Sequence, residues 1–226
     1  MRLRILSVLS ASAMVAVLAA SAAGASGGVG AAGRGRAAKV APFAPNLTIL
    51  YSQLANDSGV GIVSQKFPDA GFDVYDSQGA DDFVVPAGHV WTIQGIRFKG
   101  VYFNGSGPAT NETIWIYRNS AGKPGAPLGS GTVVAADAAG TFTATLPNVH
   151  LAAGTYWLSL QANLEFACCG EWGWETTNDL HGFAAQWQNP QDGFLTGCTT
   201  WANMQGCIGA AGEGPDFMFA IAGSTT

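Results

Sequence analysis

Residues 154–164 read GTYWLSLQANL. Tyr156, Leu158 and Leu160 alternate with Trp157, Ser159 and Gln161, and a period of two marks a strand with one face on a core. Two other stretches repeat the pattern. In GTFTATLPNVHL (140–151), Phe142, Ala144 and Leu146 share a face. In PDFMFAIAG (215–223), Phe217, Phe219 and Ile221 do so, with Asp216 and Met218 facing the other way. Upstream, DDFVVPAG (81–88) reads as a strand ending in a Pro-containing turn. HVWTIQGIRFKGVYF (89–103) carries Trp91 and Ile93 on odd positions but Ile96 and Phe98 on even ones. That change of phase predicts a β-bulge or bend at Gly95. GSGPATNE (105–112) and SAGKPGAPLGSG (120–131) are Gly/Pro-punctuated loops around the strand TIWIYRN (113–119). No long helical period and no internal repeat interrupts the series. The fold class is therefore all-β, an antiparallel β-sandwich of jelly-roll type with a long disulfide-stapled loop before the last strand.

The chain opens with Arg2 and Arg4, an apolar run over 5–20 and small-residue exits at 20–25. This is the layout of a cleaved secretory signal peptide over 1–25. The apolar run is too short to span a bilayer well. A Gly/Ala/Pro-rich stretch with Arg34, Arg36 and Lys39 reads as a flexible leader over 26–47. Within it, residues 28–33 match GxGxxG, but no strand precedes the match and no acidic residue follows at the required distance. The domain is placed at 48–226. The Ala/Gly-rich signal is of bacterial type and sends the protein outside the cytoplasm, as a secreted or periplasmic molecule without membrane insertion.

All 15 acidic residues fall in the domain, against five basic ones (Lys66, Arg97, Lys99, Arg118 and Lys123), a formal charge of −10. Such a surface repels phosphate backbones, so nucleic acid is not an expected partner. The four cysteines, Cys168, Cys169, Cys198 and Cys207, fit an oxidising compartment and lack the spacing of a zinc site. All lie in a Cys/Trp-rich loop insertion over 165–208, which starts EFACCGEWGWE (165–175). Disulfides are expected to brace this loop. Cross-pairing of Cys168 and Cys169 to Cys198 and Cys207 is favoured over a vicinal bridge, since it joins the loop's start to its end. Gly170 would relax the backbone beside the adjacent cysteines.

Planar aromatics beside carboxylates and amides suit sugar rings. The candidate ligand residues are Trp172, Trp174, Trp187, Trp201, Glu171 and Glu175, with Asn178, Gln186 and Gln188 as further hydrogen-bonding partners. In an extended strand Trp172 and Trp174 would project to one side and form an indole platform. The same tryptophans could equally serve as the loop's own core. The acidic stretch DVYDSQGADD (73–82) offers Asp73, Asp76, Asp81 and Asp82 as oxygen ligands for a structural calcium ion. Ordinary turn capping is the alternative use of those residues.

YDSQGADDFVVPAGHVWTIQGIRFKG (75–100), NGSGPA (104–109), GTYWLSL (154–160) and GPDFMFAIAG (214–223) are similar to secreted bacterial β-sandwich accessory domains. These are the carbohydrate-binding-like jelly rolls attached to exported enzymes or surface proteins. The resemblance covers residues 75–164 and the last strand. It implies a non-catalytic domain, often metal-stabilised, that adheres to polymers or spaces other modules. The cysteine-rich stretch and the lack of an attached catalytic domain depart from that pattern. The expected function is that of a secreted binding protein whose partner is an extracellular glycan or other surface polymer. Two alternatives are an extracellular polysaccharide hydrolase or lyase using Glu171, Glu175 and His181, and a protein-interaction domain of the cell surface.

Overall fold

A computed structural model describes residues 39–209 and 212–226. The segment read as a signal peptide, and most of that read as a leader, lie outside the described residues. The strands are β1 (Thr48–Ser52), β2 (Asp57–Val63), β3 (Gln65–Lys66), β4 (Gln78–Phe98), β5 (Gly100–Phe103), β6 (Asn111–Ser120) and β7 (Lys123–Val133). They continue as β8 (Ala136–Ala138), β9 (Thr141–Asn163), β10 (Glu171–Thr177), β11 (Gln186–Gln188), β12 (Ala202–Asn203), β13 (Asp216–Phe217) and β14 (Phe219–Thr225). Two helical turns, α1 (Phe166–Cys169) and α2 (Met204–Ile208), bracket the cysteine-rich region.

The larger sheet runs β1-β14-β4-β9-β6-β7, with β11 on β4, β12 on β11, and β3 and β8 on β9. The smaller sheet runs β13-β10-β2, with β5 also on β10. All of these pairs are antiparallel except the short β3–β9 pair. The two sheets share one core. Trp172 and Trp174 of β10 lie on Phe142 of β9 and Phe217 of β13 at ring separations of 4.9 and 4.5 Å. Phe98 of β4 meets the Trp174 ring edge-on at 5.2 Å.

The alternating patterns form longer elements than their turn signals imply. DDFVVPAG and the stretch after it are one strand, β4, whose register shifts between Val85 and Val90 where Pro86 and Gly88 make an exposed detour. GTFTATLPNVHL and GTYWLSLQANL are likewise joined in β9, because Pro147 and Gly154 sit at places where the ladder to β4 need not be continuous. Register also shifts between Ile93 and Gly95, where the change of phase predicts a bulge. Phe43 fills the space above Gly95, and a Cβ there would stand 2.9 Å from its ring. The Arg97 guanidinium caps the same ring at 4.6 Å.

The last strand is not single. Asp216 and Phe217 pair with β10 in the small sheet, and from Phe219 the chain pairs with β4 in the large one. Met218 makes the crossing: its N–H donates to the Glu175 carbonyl and its own carbonyl accepts from Lys99. Every residue from Asp216 to Ala222 is consequently buried, Asp216 and Met218 included.

Candidate functional site

The stretch read as one long loop opens with β10, the strand to which all the others of the small sheet pair. Trp172 and Trp174 do project to one side, and that side is the core: both are 0 % exposed. Their indole N–H groups donate to the carbonyls of Gly140 (2.7 Å) and Met218 (2.8 Å). Trp187 is buried as well and donates to the Val63 carbonyl at 2.8 Å. An open indole platform at these three positions is therefore corrected to core packing, since burying so much aromatic surface outweighs leaving it wet.

The disulfide pairing also differs from the favoured cross-pairing. Cys168 is bonded to Cys169, and Cys198 to Cys207. The physical reason lies in the ends of the chain segment. The first pair is tied down by α1, whose N–H groups at Phe166 and Ala167 donate to Asp69. The second closes a short loop across α2. Gly170 adopts φ +85° and comes so close to Gly105 that a Cβ would lie 2.4 Å from the Gly105 nitrogen. Only glycine fits at this contact.

Glu171 accepts from Asn104 at 2.5 Å, and burial pushes its pKa up against that bond. Glu175 sits 3.3 Å from the Lys99 ammonium; burial raises its pKa and the lysine opposes the shift. Four residues along one strand separate their Cα atoms by about 13 Å. The two carboxyls thus have different partners and do not converge on one point. Asn178 is likewise committed, its amide donating to the Asn56 carbonyl.

The four candidate calcium ligands divide into two groups with other duties. Asp76 accepts from the Phe67 N–H (2.7 Å) and pairs with Lys66 (3.0 Å), while Asp73 lies 3.4 Å from the Gln191 amide. Asp81 accepts from Gln53 (2.7 Å) and the Phe217 N–H (2.6 Å), and Asp82 from the Phe183 N–H (2.7 Å). Asp216 joins the second group, holding the His181 N–H at 2.5 Å. Burial pushes Asp82 up to about 6 and Asp216 to about 7. Asp81, deeper and facing Asp216, rises well above the ordinary carboxylate range. Among the described residues no three His, Cys, Asp or Glu side chains come together as a metal site. The donor set does not fit a calcium ion, because its carboxylates lie in two separate groups and are engaged by backbone and side-chain N–H donors and by Lys66.

A different set does converge. On the side of the large sheet turned away from the small one, register aligns Gln186, Ala80, Ser159, Trp115 and Ser130 across β11, β4, β9, β6 and β7. One row away, Gln188 pairs with Gln78, and Gln161 pairs with Thr113, which pairs with Thr132. Tyr117 and Trp157 form the row on the other side. Segment 178–203 folds over this third row. Phe183 lies on Trp157 at 6.3 Å and Trp201 meets Tyr117 edge-on at 5.8 Å. Trp115 and Trp201 pack against the same buried trio of Ala80, Tyr117 and Trp157, yet both keep part of their surface in solvent.

Hydrogen bonds fix the polar side chains beside these indoles. Gln78 donates to Tyr117 Oη and Ser159 Oγ, both at 2.9 Å, and accepts from Gln188 at 3.1 Å. Gln161 donates to the Ser77 carbonyl at 3.0 Å. Thr113 and Thr132 stand one row from Trp115 on the same face of the sheet. The Lys123 ammonium, bound to the Trp201 carbonyl at 3.1 Å, ties the loop to the start of β7. The Cys198–Cys207 bridge closes the segment that carries Trp201. Of the six ligand residues picked from sequence, Trp201 is the one placed here. Trp115 is missed by that reading, although its alternation with Ile114 and Ile116 already marks it as an aromatic on the non-core face.

No family model matches the chain, and no curated protein does so. A solved structure of the cysteine protease and lectin-like domains of Cwp84, a surface layer associated protein of Clostridium difficile, is similar at a TM-score of 0.43 and 9 % identity. The match covers 66 % of this chain and 32 % of that one, so this chain spans about a third of the length of that relative. Among the described residues no helix is long and apolar enough to cross a membrane.

Proposed function

We propose that this protein is a secreted, non-catalytic binder of an extracellular glycan, built on a jelly-roll-like sandwich, with its contact surface on the outer face of the large sheet. The observation that carries this reading is the pair of partly exposed indoles, Trp115 from β6 and Trp201 from the stapled segment, beside a fixed row of amides and hydroxyls. Sugar rings present an apolar face and a rim of hydroxyls, and this surface offers a complement to both. Its amides are held in place before any ligand arrives, which lowers the ordering cost of binding. The two disulfides fit an oxidising, extracytoplasmic setting.

The test is retention on a panel of insoluble and soluble polysaccharides, followed by titration of the best ligand. Trp115→Ala and Trp201→Ala should each weaken binding at least about tenfold, equivalent to about 1.4 kcal/mol. Both variants should keep the wild-type circular dichroism spectrum, because neither indole is fully buried. Unchanged affinity in both variants, or no retention on any member of the panel, would sink the reading.

A further inference from the structure

We propose that the cleft between β6, β7 and the middle of β9 binds the single aliphatic chain of an uncharged amphiphile. The cleft has a volume of about 630 Å³, within the range of small-molecule sites. It opens on the core-facing side of the large sheet, beyond the reach of the small sheet, and so lies opposite the face carrying Trp115. Ile114, Ile116, Leu128, Leu146 and Leu151 form its walls. Its floor is β7 itself, where Gly131 and Gly129 pair with Ile114 and Ile116 and therefore face the same way. A Cβ at either glycine would meet nothing within 4 Å. The missing side chains are what open the cleft.

The lining selects the class of ligand. It contains no Asp, Glu, Lys or Arg and no Phe, Tyr or Trp; His150 is its one ring other than proline. A sugar ring would find no indole, phenol or phenyl face to stack on, and a charged group would be desolvated with no Asp, Glu, Lys or Arg to pair it. An aliphatic chain loses nothing polar by entering and gains with each methylene buried. In the lining, Asn148 offers neutral donors and an acceptor. The domain's formal charge of −10 opposes an anionic head. A hydroxyl-bearing head matches both conditions.

The probe is 1-monododecanoylglycerol below its micelle concentration, titrated by calorimetry into the full chain, with dodecanoate as the charged counterpart. The glyceride should bind saturably at one site, and dodecanoate at least about tenfold more weakly. Gly129→Leu and Gly131→Leu place side chains in open space at ordinary backbone angles, so both should fold and both should lose at least about tenfold in glyceride affinity. Trp115→Ala, on the opposite face, should leave it unchanged. Absence of saturable binding, or binding that survives both leucines, overturns the proposal. Equal affinity for dodecanoate overturns the uncharged head.

Discussion

Trp174 shows what a single side chain does here. It touches Phe217, Phe98 and Phe219 and satisfies its own N–H at the Met218 carbonyl, so one indole joins β10, β13, β4 and β14. Removing it leaves a large cavity and takes one of the two donors from the Met218 carbonyl. Trp174→Ala should cost about 3–5 kcal/mol, read from the midpoint of denaturant unfolding. A loss below about 1 kcal/mol would mean that the indole is not packed as described. The contrast with Trp115 follows from position alone. One strand side faces the second sheet, the other faces water, and the same residue type serves as a core element on the first and as an available surface on the second.

Among the elements, the segment 178–203 decides how much of the large sheet's outer face is covered. It is held by the carboxylates of Asp82 and Asp216, by Lys123 and by the Cys198–Cys207 bridge, with little regular structure of its own. The pair Cys198→Ser and Cys207→Ser should lower stability by about 2–3 kcal/mol, the loop being short. It should also raise the rate of proteolytic nicking within 190–209 while the spectrum of the sheet is retained. An unchanged rate of nicking would show that the bridge is not what fixes the segment. The strands that form the core were legible in sequence, because Phe142, Tyr156, Leu158, Phe217 and Ile221 announce their faces by alternation. The membership of β10 was not. EWGWETT carries two tryptophans and a glycine between cysteines and polar runs, and nothing local says that Phe142 and Phe217 wait across the core to cover it. The disulfide pairing was illegible for the same reason, since it depends on where α1 and α2 are anchored. At the candidate site, Trp201 was visible as one of a cluster of tryptophans, whereas the convergence of Trp115, Gln78 and Gln161 needs the register of four strands.

For the molecule as a whole, buried carboxyls set the response to pH. Burial raises Asp82 to about 6 and Asp216 and Glu112 to about 7, and it lifts Asp81 well above the ordinary carboxylate range. Their values in the unfolded chain are about 4. Below about pH 4 both states hold these protons, and burial carries no charge penalty. Between about pH 4 and 7 the unfolded chain releases its protons first, so stability falls as pH rises, and above about 7 the full penalty is present. The thermal midpoint should therefore be higher at pH 5 than at pH 8, and Asp216→Asn should flatten the profile. A midpoint that climbs over this interval would contradict the burial of these groups.

The strand order also fixes when the sheet can be completed. β1 at one edge has β14 as its ladder partner, and β4 is flanked by β9 and β14. β1 therefore has no ladder partner until β14 is present, whereas the β6–β7 hairpin can close locally. Pairings of such long separation form slowly, because the loops between partners must be closed first. The β1 edge of the large sheet therefore waits on the strand farthest from it along the chain.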